Sequence, residues 1–152
     1  MMSSPHLHSF SIALRTMFLA AVIGSSPAMA ADEMRYAWPV IGIKDGDTLT
    51  VNLPGLPPTL NPVAVRLRSV DTPESGGRAK CASERKLAER ATHFTRQAIA
   101  AARSIEFKQP SWDKYGGRID ADVWVDGKLL SDQLIAAGLA RQYDGGKRRG
   151  WC

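Results

Sequence analysis

The chain has 152 residues, 20 Lys/Arg against 15 Asp/Glu, a net charge of +5 and two cysteines. That length suits one domain, and no internal repeat or long linker divides it. The small basic excess favours polyanionic partners without deciding for them; two cysteines and the lone His93 beyond residue 30 exclude a four-ligand Cys/His zinc centre.

At the N-terminus, Arg15 and two histidines precede an apolar run, Met17 to Gly24, followed by an Ala-x-Ala site at Ala28 to Ala30. The run is shorter than the roughly 20 residues a membrane span needs. Residues 1–30 are therefore expected to be a signal peptide and 31–152 the folded domain, secreted or periplasmic. In an oxidising compartment a Cys81–Cys152 disulfide is the better reading; two free thiols are the alternative.

In chain order, residues 35–44 read as a strand interrupted by Pro39, and Asp45-Gly46 is a hairpin signal. Leu49, Val51 and Leu53 alternate with Thr48, Thr50 and Asn52, the period of a half-buried strand. After a proline-rich loop, Val63, Val65 and Leu67 mark a third strand over about 63–70. Pro73, which cannot donate to a ladder, stops it near Asp71. Ser83 is expected to cap a helix reaching about Ala102, with Leu87, Ala91, Phe94, Ala98 and Ile99 as its apolar stripe. His93 falls on the opposite face beside Lys86, Glu89, Arg90 and Arg96, so it is expected to be solvated rather than catalytic. Residues 104–109 and 118–127 follow as strands, with Ile119, Ala121, Val123 and Val125 on one parity. A short helix capped by Ser131 and stopped by Gly138 closes the pattern. The order suits an α+β fold, a five-stranded OB-type Greek-key β-barrel with a long helix after strand 3 and one or two short C-terminal helices.

Parity singles out two acids. Asp47 shares the phase of Leu49, Val51 and Leu53, and Asp71 that of Val63, Val65 and Leu67, so both are expected to emerge inward at the mouth of the barrel. Two inward carboxylates repel each other and resist desolvation unless something positive lies between them. Calcium, with its loose oxygen coordination, meets that need, although the loop from Asp45 lacks the glycine and glutamate of an EF-hand. Taken singly, each aspartate is better explained by turn chemistry than by metal ligation.

The segments DGDTLTV (45–51), VRLRSVDTPE (65–74) and DKYGGRIDADVWVDGK (113–128) together resemble the three signature segments of the staphylococcal nuclease-like (thermonuclease) family, in the same order and over nearly the whole exported chain. The resemblance implies metal ligation by Asp47, Asp71 and the backbone carbonyl of Thr72. It also implies Glu74 as general base and Arg66 as a phosphate-binding arginine. Arg118, eight residues before Asp126, falls on the second such arginine, and Lys114 and Tyr115 on the nucleotide phosphate end. Tyr143 lies one position from a substrate-stacking tyrosine of the family, and a packing role suits it equally. Arg68 is read as surface charge. YGGR carries one residue more than the family's YGR, and its two glycines are expected to let Arg118 still reach the site. The DGGKRRGWC ending with Cys81 resembles a disulfide-bearing exported branch, and its basic tail either grips a polyanion or is simply solvated.

The implied activity is Ca²⁺-dependent phosphodiester hydrolysis on single-stranded or locally melted DNA and RNA, with little sequence preference, by a monomer; cleavage would leave 3′-phosphates. A non-catalytic nucleic-acid-binding module on the same barrel is the alternative, and a structural calcium protein of the envelope a third. Degenerate copies of the domain lack several of the acids and arginines, whereas Asp47, Arg66, Asp71, Glu74 and Arg118 are all present here.

Overall fold

Pro39 divides the first expected strand. The computed structural model describes residues 34–152, so the expected signal peptide lies outside the described residues. With no N–H to give at Pro39, the chain forms β1 (Arg35–Tyr36), then β2 (Val40–Asp45). The remaining elements are β3 (Thr48–Val51), β4 (Val63–Leu67), β5 (Val70–Asp71), α1 (Ala82–Ala101), β6 (Ile105–Trp112), β7 (Arg118–Val125), β8 (Lys128–Leu129), α2 (Leu130–Ala136) and β9 (Arg141–Gln142).

The main sheet runs β1-β6-β7-β4-β3-β2, with β8 on β7, while β5 pairs with β9 in a separate two-stranded sheet. Neighbours are antiparallel except β4 and β7, which run parallel with Ala64 opposite Arg118 and Arg66 opposite Asp120. The expected five-stranded closed barrel is therefore corrected to an open sheet with more and shorter strands. No ladder joins β1 to β2, the two ends. β1 has only two residues, and β2 carries register shifts on either side of Gly42-Ile43. A strand so short and one so bulged offer no continuous second edge. Helix α1 packs against β2 instead.

The alternation read from the sequence places the core. Val63, Val65 and Leu67 of β4 and Ile119, Ala121, Val123 and Val125 of β7 are all buried. They join Leu49, Val51, Phe107 and Ala91 in one cluster, against which Leu87, Phe94, Ala98 and Ile99 pack. Trp38 stacks on Phe107 with ring centroids 4.9 Å apart. His93 is exposed, as its face predicts.

Both serine caps are corrected. The residue before α1 is Cys81, with no side-chain cap, and Ser83 lies inside the first turn. Glu84 of that turn, only 4% exposed, instead ties the preceding loop to the helix, accepting from the backbone N–H groups of Lys80 at 2.7 Å and Glu74 at 3.3 Å. A carboxylate there also complements the positive end of the helix dipole. Ser131 likewise lies within α2, and its hydroxyl donates to the Arg68 carbonyl at 3.1 Å. The third strand ends at Leu67 rather than near 70, because Ser69 adopts a left-handed turn with φ 57° before β5.

Cys81 and Cys152 form a disulfide with Cα atoms 6.0 Å apart and a separation of 71 positions. Closing so long a loop contributes on the order of 4 kcal/mol by restricting the unfolded chain. It also fixes the last residue of the chain beside the start of α1.

Candidate active site

The Asp45-Gly46-Asp47 turn joins β2 to β3 and rests directly on α1. A side chain at Gly46 would put its Cβ 2.8 Å from that of Ala91 and 3.1 Å from Thr72 Cγ2. Gly46 is absent from the positive-φ residues, so the motif needs a glycine for close approach, not for a left-handed backbone. The Thr95 hydroxyl, fully buried on α1, donates to the Gly46 carbonyl at 2.6 Å and locks the turn. Gly46→Ala is expected to destabilise the protein by about 1–3 kcal/mol through overpacking. Urea unfolding checks this, and an unchanged midpoint would contradict the close contact.

This turn presents Asp47, 3% exposed, to Arg66 on β4. Asp47 Oδ1 accepts from Arg66 Nη1 at 2.9 Å and from the Thr48 hydroxyl at 3.0 Å, and Oδ2 accepts from the Thr72 N–H at 3.3 Å. Arg66 Nη2 donates to the Val70 carbonyl at 3.0 Å and lies 4.0 Å from Asp71 Oδ1. One guanidinium thus stands between the two acids that parity had directed inward.

Asp71, buried at the end of β5, also meets the C-terminal tail: Trp151 Nε1 donates to Oδ2 at 3.2 Å, and Arg148 Nε lies 3.2 Å from Oδ1. Glu74 is held from both sides, by Arg148 Nη1 at 2.7 Å and Arg78 Nε at 2.8 Å. Arg78 Nη2 in turn lies 3.6 Å from Asp45 Oδ2. Arg118, opening β7, pairs with Asp113 at 3.0 Å and approaches Asp120 at 3.8 Å.

Asp47, Arg66, Thr72, Glu74 and Arg118 line one small cleft of about 140 Å³ together with Asp45, Arg78 and Arg148. Asp71 borders it through Arg66 and Arg148. Lys114, Tyr115 and Tyr143 line an adjoining cleft of about 810 Å³, which shares Arg66, Arg118 and Arg148 with the first. The Tyr143 hydroxyl donates to the Gly146 carbonyl at 2.9 Å, bracing the tail. The extra glycine of YGGR has not moved Arg118 off the site.

Arg68 is not mere surface charge. Its Nη2 donates to the carbonyls of Gln109 at 2.6 Å and Asp120 at 3.0 Å and to the Ser111 hydroxyl at 3.0 Å. It thereby fills the register shift between Lys108 and Ser111 where β6 meets β7. Asp45, Arg78, Arg148 and Trp151 were not singled out by the sequence reading. Asp45 was absorbed into the turn signal, and Arg148 and Trp151 are brought in from the chain end, which the disulfide ties to the start of α1.

Around the small cleft Lys44, Arg66, Arg78, Arg118 and Arg148 outnumber Asp45, Asp47 and Glu74, and the opening for a cation lies at the buried acids Asp47 and Asp71. Burial foremost, together with the neighbouring Asp45, pushes the Asp47 carboxyl up to about 6, against the pull of Arg66. Asp45 Oδ1 and Asp71 Oδ1 are buried with no hydrogen bond. The acids there are carboxylates without imidazole or thiolate beside them, donors of the kind a hard cation takes. Another gathering of ligand types among the described residues, Cys81, Glu84 and Cys152, fails that test because its two sulfurs are bonded to each other.

A raised carboxyl binds its proton more tightly in the folded state. The metal-free protein is therefore expected to lose stability as pH rises from about 4 to about 6. Denaturant midpoints in chelator across that range check it; a midpoint that instead climbs steadily with pH contradicts the buried-acid account.

Acids and guanidiniums facing one cleft are the kinds of group that phosphodiester chemistry uses. Residues 64–149, more than half of the chain, match the family model of the staphylococcal nuclease homologues, and the chain belongs to that family. Membership supports a nuclease-type function, nucleic-acid substrates and dependence on a metal. The match begins at β4, so Asp45 and Asp47 lie outside it and enter the site through the β2–β3 turn. No helix among the described residues is long and apolar enough to cross a membrane.

Proposed function

We propose that this protein is a secreted or periplasmic nuclease that hydrolyses phosphodiester bonds in single-stranded or locally melted DNA and RNA, with calcium as its metal. The observation that carries the reading is that Asp47, Glu74, Arg66 and Arg118 line one cleft, with Asp71 paired to two of its arginines, Arg66 and Arg148. Asp47, Asp71 and the Thr72 carbonyl would hold calcium, with Asp45 beside them. When bound, the ion would neutralise charge that gathers on the phosphoryl oxygens.

Arg66 and Arg118 grip the same phosphate through their planar forks, which match its edge in a way a lysine cannot. Their present pairing with Asp47 and Asp113 holds both forks at the cleft before substrate arrives. Glu74 orients a water and takes its proton as the water oxygen attacks phosphorus. The bond to the 5′ oxygen breaks and that oxygen takes up a proton from solvent, leaving a 3′-phosphate and a 5′-hydroxyl. Lys114, Tyr115 and Tyr143 line the path of the strand, where charge and base stacking give affinity with little sequence preference. The disulfide suits an oxidising compartment. We assign a monomer, with each site complete within one chain.

Digestion of single-stranded DNA by the folded chain with calcium, then with excess chelator, tests the reading. Cleavage should stop on chelation and return when calcium is restored. Cleavage that continues in chelator would remove the metal from the proposal, and none under either condition would remove the enzyme.

A further inference from the structure

Among the described residues, only three line both clefts, the small one and the larger one beside it: Arg66, Arg118 and Arg148. The first two are already placed as phosphate-binding groups. Arg148 shares their position but not their origin. It comes from an irregular tail rather than from a sheet strand.

That tail is nevertheless fixed. Cys152 is bonded to Cys81, and Trp151 donates to Asp71 at 3.2 Å while the Arg141 guanidinium lies 3.8 Å over its ring. Arg141 Nη1 also donates to the Gly150 carbonyl at 2.9 Å. Arg148 is left with its side chain 43% exposed, Nε 3.2 Å from Asp71 and Nη1 2.7 Å from Glu74. Its guanidinium lies 5.5 Å from the Tyr143 ring. Two of its five N–H donors face acids of the site and the guanidinium also engages Tyr143, which leaves donors for a ligand entering from the larger cleft.

We propose that Arg148 is a third substrate-binding guanidinium, gripping a phosphate of the strand where the two clefts meet, and that the Cys81–Cys152 bridge presents it there. This rests on the nuclease reading above. A cation taken up by the acids lessens their hold on Arg148 and adds positive charge, so an incoming phosphate becomes its best partner. A strand so held spans from the reacting phosphate, between Arg66 and Arg118, toward Tyr143.

The test measures binding of a fluorescent oligothymidylate, with calcium, to a Glu74→Gln parent that turns over little, across a salt series. Adding Arg148→Ala is expected to weaken binding roughly tenfold or more, the scale of a lost charge-assisted hydrogen bond. It should also make the slope of log K against log salt shallower by about 0.7, the signature of one phosphate contact on a single strand. Arg148→Lys should keep the slope and recover part of the affinity. With Glu74 intact, Arg148→Ala should raise KM while changing kcat less than KM. The paired Cys81→Ser, Cys152→Ser variant, shown folded by circular dichroism, should reproduce the loss of slope.

Unchanged affinity and slope in Arg148→Ala would overturn the proposal while leaving the nuclease reading intact, provided the unaltered chain still cuts DNA. An unaltered chain that neither binds nor cuts overturns both. A full slope in the folded double cysteine variant overturns the role of the bridge.

Discussion

Glu74→Gln is expected to lower turnover of single-stranded DNA by about 10²–10⁴-fold, the usual contribution of a positioned general base. Strand affinity should stay within a few-fold. The substitution keeps the size of the side chain and its acceptor oxygen but removes basicity. Glu74 is anchored through its backbone as well, since its N–H donates to Glu84 at 3.3 Å, so the turn should survive. Arg78 and Arg148 lose a charged partner, which makes both more available to substrate and works against any loss of affinity. Single-turnover cleavage and equilibrium binding separate the two effects. Normal cutting would remove Glu74 as the base, and a large loss of binding with unchanged kcat would make it a positioning residue.

Arg66→Ala is expected to be the most destabilising single change at the site, by about 3–5 kcal/mol at neutral pH, because it leaves a buried charge without its partner. Asp47 would lose its 2.9 Å ion pair, and the Val70 carbonyl its 3.0 Å donor. The Asp47 carboxyl, already pushed up to about 6 with Arg66 opposing the shift, should rise further. The variant should therefore recover stability as pH is lowered and the acid takes up its proton. Calcium should recover it at neutral pH by supplying the missing positive charge. Arg66→Lys keeps the charge but loses the fork that reaches both Asp47 and Val70, so an intermediate loss is expected. Urea unfolding at pH 5 and pH 7, with and without calcium, distinguishes these outcomes. A variant as stable as the parent at neutral pH would mean that the acids do not depend on Arg66.

The parts of the fold legible in the sequence were those where one face is buried and the period therefore strict. β4 and β7 alternate as their apolar residues require, and the stripe of α1 lies on the core. Barrel closure was not legible, because it depends on pairings between distant segments that no local period encodes. Arg66 and Arg68 have the same parity, yet the turn at Ser69 sends them to different tasks, one onto buried acids and one into the gap in β6. Gly46 was assigned to a turn for its backbone freedom, while the approach of α1 is what demands it. Asp47 and Asp71 could be read from parity because strands carry them. Arg148 and Trp151 could not, since a covalent bond to residue 81 places them.

The parallel pairing of β4 with β7 has a consequence for how chains of this family can vary. With Arg66 opposite Asp120, Arg118 stands one strand over and two residues back on the same face. The two α-carbons are then roughly 8 Å apart by strand geometry alone. The spacing of this pair of claws is a property of the weave, indifferent to the length of the loop that leads into it. The doubled glycine at 116 and 117 is slack taken up outside the loom, and trimming it back to one should leave the grip as wide as before.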